Sequence, residues 1–295
     1  MTDGRSPDAP ADPRRTGRGS HMLGGNRAVL VSTASTIGFF VVLGLILYLS
    51  PGFAAFRASF LNWDNMKESF YGTLATPSIW HAFVLNVKMF LIAEPLILIF
   101  ALAIAVVRQF PGPVFFPFRL VAVAYTDFFR GVPLILVIYV MGFAVPGLLI
   151  HGVSFYESPV VYGVIALVLS YSAYVAEVYR AGIESVHPSQ MAAARSLGLS
   201  RMQSLRHVVI PQAVRRVIPP LLNDFISLQK DTALVGVIGP IEAARAAQIY
   251  GASKFNFSSY VVAAFLFILI TIPLARFTDR LVARGQQRRG GTIAR

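Results

Sequence analysis

The sequence predicts an all-α integral membrane protein of about six transmembrane helices. Three observations predict it. Of 295 residues, 55% are hydrophobic and only 14% charged, the mean hydropathy is +0.63, and the apolar residues gather into runs about twenty long. Soluble domains carry roughly 25% charged residues, and about 20 apolar residues cross the hydrocarbon core as a helix. On that measure spans lie at 28–50, 82–107, 120–150, 159–180, 217–239 and 257–275. No cysteine is present, which excludes disulfides and thiolate metal sites.

A net charge of +12 spread over a soluble surface would suggest nucleic acid, so its distribution between loops is decisive. With the spans alternating sides, nineteen of the 26 Lys and Arg fall on the side of the N-terminus. Only Arg57, Lys67, Arg245 and Lys254 fall on the other, and Lys88, Arg130 and Lys230 lie within or beside spans. The positive-inside rule then makes both termini cytoplasmic.

Residues 1–27 are rich in Pro, Gly, Asp and Arg, offer little to bury, and read as a disordered cytoplasmic tail. The span at 28–50 is too long for a signal sequence and has no small-residue cleavage site after it, so it reads as a retained helix. An extracytoplasmic loop at 51–81 carries Trp63, Tyr71 and Trp80, residues suited to a membrane–water interface. Asn86, Lys88 and Glu94 interrupt the second span. Lys88 can snorkel from near its end, whereas Glu94 lies deeper, and Pro95 beside it predicts a kink.

The third span passes from Asp127 and Arg130 through Gly131 and Pro133 into a long apolar run. That pattern predicts a helix that breaks and resumes, which a membrane permits only beside protein or water. The fourth ends with Glu177 and Arg180 on one helical face, an interfacial pair. Residues 281–295 read as a basic cytoplasmic tail.

Between the fourth and fifth spans lies MAAARSLGLSRMQSLRHVVIPQ, Met191 to Gln212, with four basic residues and no acidic one. Ser189 is suited to cap a first helix that Gly198 ends in the left-handed conformation. Ser200 and Gln203 fit a capping box for a second, which Pro211 stops. Leu197, Leu199, Met202, Leu205 and Val209 are expected to pack together, leaving Arg195, Arg201, Arg206 and His207 for the cytoplasm or a partner. A helix-turn-helix of this charge raises the question of DNA reading, but membrane spans tether it at both ends and keep it from a duplex. Nucleic acid is therefore not an expected partner.

The segment from Ala173 to Gly239 resembles the permease subunit of ATP-binding-cassette importers for polar amino acids, the histidine/glutamine/glutamate/arginine uptake family. The family's cytoplasmic loop has the form Glu-Ala-Ala, three residues, Gly, then nine residues ending in Ile-x-Leu-Pro. Ala193, Ala194, Gly198, Val208, Ile210 and Pro211 match it in place and order. YTDFFRGVPLIL resembles the family's Tyr-x-Glu-x-x-Arg-Gly-Thr-Pro-Leu-Leu, and QKDTALVGVIG its Lys-Asp-Thr-Ser-Leu, so the resemblance covers about residues 80–280. The chain departs from the pattern at Ala192 for Glu, Ser189 for Gly, Val132 for Thr, Val137 for Gln and Ala233 for Ser.

The resemblance implies an ABC-importer permease fold, with a five-helix core at 82–280 after the extra helix at 28–50. The loop at 185–215 would be its coupling helix, docking on an ATPase subunit through Gln190, Ala193, Ala194, Arg195, Gly198, Leu199, Ser200, Arg201, Arg206 and Pro211. No Gly-x-x-x-x-Gly-Lys-Ser/Thr run is present, so the chain is a transporter subunit and not an enzyme. It binds no cofactor itself, and ATP–Mg belongs to separate ATPase subunits. The implied setting is a bacterial inner membrane, multi-pass, bathed in lipid. The implied partners are a second permease copy or a homologous permease, an extracytoplasmic binding protein and an amino acid substrate.

A zwitterion inside a membrane needs a cation and an anion nearby, and Lys230–Asp231 supplies both. Lys230 is expected to meet a carboxylate and Asp231 an ammonium, with hydrogen bonds from Gln229 and Thr232. Glu94, Asn86, Asp127 and Arg130 are further pathway candidates. An ion-gradient-driven transporter or channel using Glu94, Asp127 and Asp231 is the alternative reading.

Overall fold

A computed structural model describes residues 26–110, 112–147 and 158–290. The expectations for residues 1–25 and 291–295, and for the end of the third span at 148–150, lie outside the described residues. The chain divides into two compact units, Met1–Ala58 and Ser59–Arg295. In the first, α1 (Asn26–Leu49) is apolar on every face, as suits a helix immersed in lipid. Helix α2 (Phe53–Phe60) begins there after a short turn, and Phe53 meets Tyr48 with ring centroids 5.5 Å apart.

The second unit is a helical bundle. Its elements are α3 (Trp63–Tyr71), α4 (Ile79–Gln109), α5 (Phe116–Gly131), α6 (Leu134–Tyr139), a π turn (Val140–Ala144), α7 (Val145–Gly147) and α8 (Pro159–Glu184). There follow α9 (Pro188–Ser196), α10 (Arg201–Ser204), a π turn (Leu205–Val209), α11 (Ile210–Asp231), a 3-10 segment (Thr232–Ile238), α12 (Ala243–Lys254) and α13 (Ser258–Gly290). Among the described residues, four helices, α1, α4, α8 and α13, are long and apolar enough to cross a membrane, and one bent pair, Phe116–Gly131 with Leu134–Gly147, has the length and composition of a broken span or a re-entrant loop. The break expected in the third span is present: the chain turns by 104° between Gly131 and Leu134. Pro133 lacks a donor and Val132 is extended, so the helix cannot continue through them. The stretch at 217–239 is more polar. It forms the second half of α11 and the 3-10 segment. Residues 51–81, read as a loop, hold α2 and α3, and α13 extends into the tail expected from residue 281.

Helix α8 is the bundle's axis. Small residues along it, Ala166, Ala173 and Ala176, and along α4, Ala93, Ala101 and Ala105, are all fully buried. Without side chains to separate them, the two backbones approach closely, the packing that membranes favour. Leu228, Val235 and Ile238 close the core from the side of α11. A second cluster joins the start of α4 to α12 and α13 through Ile79, Phe83, Ala247 and Leu266.

Polar ties mark the two ends of the bundle. At one end Lys254 of α12 pairs with Glu68 of α3 at 2.9 Å, and the Tyr250 hydroxyl donates to Asn65 at 2.8 Å and Glu68 at 3.1 Å. The Lys254 ammonium holds the Glu68 carboxyl below its ordinary value. Burial, with Glu68 as its acceptor, pushes the Tyr250 hydroxyl up to about 12. At the other end Arg108 of α4 donates to Glu177 of α8 at 3.0 Å, and Glu177 and Glu184 both hold Arg180. The expected Glu177–Arg180 pair is thus part of a four-residue network.

Candidate functional site

Two regions carry the sequence-derived candidates. The first is the loop from Pro188 to Pro211. Helix α9 is capped by His187, whose ring nitrogen accepts from the Ser189 amide at 3.2 Å, with Pro188 at its first position. The expected cap at Ser189 is therefore displaced by two residues, because Pro188 lacks the amide donor and fits the first helical turn. Gly198 adopts φ +85°. Its amide donates to the Arg195 carbonyl at 3.0 Å and the Leu199 amide to that of Ala194 at 3.2 Å, the paired bonds of a Schellman ending. The Ser200–Gln203 capping box forms as expected, with bonds of 2.8 and 3.2 Å.

Pro211 does not stop the second helix. The π turn at Leu205–Val209 shifts the bonding register just before it, and the helical path runs on through α11. The expected packing of five apolar residues also divides. Val209 is buried with Val186 and Ala213, and Leu205 packs against them. Leu197 and Met202, however, are 84% and 72% exposed. The glycine turn swings both away from this small core. Ala194 is buried, whereas Gln190, Ala193, Arg195, Ser200, Arg201, Arg206 and Pro211 are exposed and Leu199 is half-buried. Among the described residues, the three arginines make no ion pair.

The second region is the polar interior. Tyr171 of α8 donates its hydroxyl to Asp231 at 2.7 Å. Asn86 of α4 donates to Thr232 at 3.1 Å and to Glu242 at 3.2 Å, while its own oxygen accepts from the Ala243 amide at 3.0 Å. Glu242 caps α12 by accepting from the Ala244 and Arg245 amides at 2.8 and 2.7 Å. Gln229 accepts from Thr271 of α13 at 3.1 Å, and among the described residues its buried amide nitrogen has no hydrogen-bond partner. Asn86, Gln229, Thr232 and Glu242 are all buried, so this network ties the 3-10 segment and the start of α12 to α4, and the end of α11 to α13.

Lys230 is exposed and, among the described residues, without an ion pair; Asp231 is half-buried. Asp127 and Arg130 lie exposed on α5, and no ion pair or hydrogen bond joins their side chains to Lys230 or Asp231. Glu94 is half-buried on α4, and Asp224 is half-buried on α11, which packs against α4. The sequence reading did not single out Tyr171, Asp224 or Glu242. Asp224 lies seven residues before Asp231, two helical turns along one face, a spacing that was available to find it.

A family model for the inner membrane component of binding-protein-dependent transport systems matches residues 114–289. The chain belongs to this family. Among its relatives, a probable glutamine ABC transporter permease, GlnM of Bacillus subtilis (strain 168), is 35% identical over 221 residues, 73% of this chain and 91% of the relative. The arginine transport system permease ArtQ of the same organism is 34% identical over 170 residues, 58% of this chain and 76% of the relative. A solved structure described as an amino acid ABC transporter with histidines superposes with a TM-score of 0.63 at 30% identity, covering 70% of this chain and 93% of that one. The inward-facing MetNI methionine transporter, 16% identical with a TM-score of 0.56, shares the fold. As in this family generally, the chain is a non-enzymatic membrane subunit, and the loop at Pro188–Pro211 falls inside the matched region.

Proposed function

We propose that this permease carries polar amino acids of the glutamine and arginine class into the cytoplasm, driven by ATP–Mg on separate ATPase subunits. The single observation that carries the coupling role is the doubly capped loop. A Schellman ending followed at once by a capping box fixes the angle between α9 and α10 and presents Leu197 and Met202 outward beside Arg195, Arg201 and Arg206. An exposed apolar pair ringed by unpaired cations suits a groove with an apolar floor and acidic rim on an ATPase. The names of the relatives support the substrate class.

In this reading the loop end of the bundle is cytoplasmic, as are both termini, which agrees with the bias of Lys and Arg. A second copy or a homologous permease completes the pathway, and an extracytoplasmic binding protein delivers substrate at the α3–α12 end. Lys230 meets the substrate carboxylate and Asp231, held by Tyr171, the ammonium. Glu94, Asp127 and Arg130 line the approach. Asn86, Gln229 and Thr232 hold the wall behind, since their bonds are directed inward.

The test is reconstitution with the ATPase and binding protein encoded nearest to this gene. ATP-dependent uptake of glutamine or arginine is expected, reduced by Lys230→Ala at equal expression. Because the chain has no cysteine, Met202→Cys gives a single crosslinking site, expected to capture the ATPase. Uptake that follows an ion gradient without ATP, or a crosslink that never captures the ATPase, overturns the proposal.

A further inference from the structure

An apolar cleft of about 500 Å³ opens between α3, the start of α4 and the middle of α13. Its walls include Phe265 and Leu266, and Trp63, Tyr71 and Trp80 stand around it. Trp63 and Tyr71 are 74% and 69% exposed. The Glu68 and Asn65 ties to α12 fix the polar face of α3, so its apolar face turns toward α13. Aromatic residues so arranged sit at headgroup level, which puts the mouth of the cleft at the membrane interface. An apolar cleft offers water no hydrogen-bond partners, whereas its lining suits an acyl chain.

One charged residue, Lys67, lies in the wall. It is exposed, and among the described residues it has no ion pair. The neighbouring Glu68 is engaged by Lys254 and Tyr250, and Asp64, one turn earlier, makes no ion pair with Lys67. An unpaired cation at the mouth of an acyl-sized cleft complements a phosphate. We propose that this cleft binds one anionic phospholipid, an acyl chain between α3 and α13 and the phosphate on Lys67.

The chain has two tryptophans, and both line the cleft, so intrinsic fluorescence reports on this place. The full chain is reconstituted in dibrominated phosphatidylcholine, which quenches tryptophan, and unbrominated lipid is titrated in. Phosphatidylglycerol is expected to restore fluorescence at about fivefold lower mole fraction than unbrominated phosphatidylcholine, the factor one interfacial lysine supplies. Lys67→Gln is expected to bring the two curves together without changing maximal quenching, and Lys67→Arg to keep them apart. Coincident curves for the unaltered protein, a preference that survives Lys67→Gln or vanishes in Lys67→Arg, or tryptophans that bromolipid does not quench, each overturn the proposal.

Discussion

Replacing Gly198 isolates the contribution of one backbone conformation to coupling. Its φ of +85° lies in the left-handed region, and a Cβ added there meets nothing within 4 Å. Side-chain crowding therefore contributes nothing, and the whole cost is the backbone's. For an L residue that cost is about 1–2 kcal/mol, less for Asn, whose side chain bonds locally. The Gly198–Arg195 and Leu199–Ala194 bonds, 3.0 and 3.2 Å long, depend on this turn. A penalty of that size multiplies local opening by about 5- to 30-fold. Amide hydrogen exchange across residues 194–204 reads it directly. We expect exchange to rise in the order Gly, Asn, Ala, Val, with ATP-driven uptake falling in the same order and exchange in α4 and α8 unchanged. If Ala and Val exchange as slowly as Gly, or Asn no more slowly than Val, the assignment of the turn as a conformational lock is wrong.

A Cβ at Gly182 would lie 2.1 Å from a methyl of Val217, so Gly182→Ala should destabilise by about 1–3 kcal/mol. Combined with Val217→Ala, the penalties should be less than additive by about 1 kcal/mol or more; additive losses in thermal unfolding would contradict the contact. Glu242→Ala removes the α12 cap and the acceptor of Asn86, an expected loss of about 3 kcal/mol from capping and an orphaned buried donor together; a loss under about 1 kcal/mol in thermal unfolding would show that the bonds are replaced. Since Glu68 has a lowered value in the folded protein, its tie to Lys254 is fully present above pH 4.5 and is lost as the pH falls through the lowered value. In a Trp80→Phe background, Trp63 fluorescence, on the same helix, should titrate in that acid range, and Glu68→Gln should abolish the titration; a titration that survives Glu68→Gln would contradict the assignment.

The fold was legible where one physical signal dominated. Apolar runs located the long helices, and the Gly131–Pro133 break was visible because proline and its predecessor leave a helix few conformations. The capping box at Ser200–Gln203 and the turn at Gly198 were readable because each is set by residues within four positions. The loop's start was misplaced because Pro188 takes the first helical position, which moves the cap back to His187, a residue type not among the usual caps. Pro211 was read as a stop because nothing local announces a π turn. The interior site was the least legible. Asn86 and Glu242 are 156 residues apart, so only the folded bundle brings them together, and the same holds for Tyr171 and Asp231. Leu197 and Met202 have the right spacing for a core, but the turn that separates their helices rotates them out of it.

The helical path from Arg201 through the π turn to Asp231 has a mechanical corollary. Thirty-one residues at about 1.5 Å each make a strut of roughly 45 Å, and a helix resists elongation because every rung would have to part. Pro219 and Pro220 sit near its midpoint and withhold two rungs, so flexure concentrates there. A displacement imposed on the loop end would therefore be taken up as a bend at Pro219–Pro220, while the bonds of Gln229, Asp231 and Thr232 hold the far end to its neighbours.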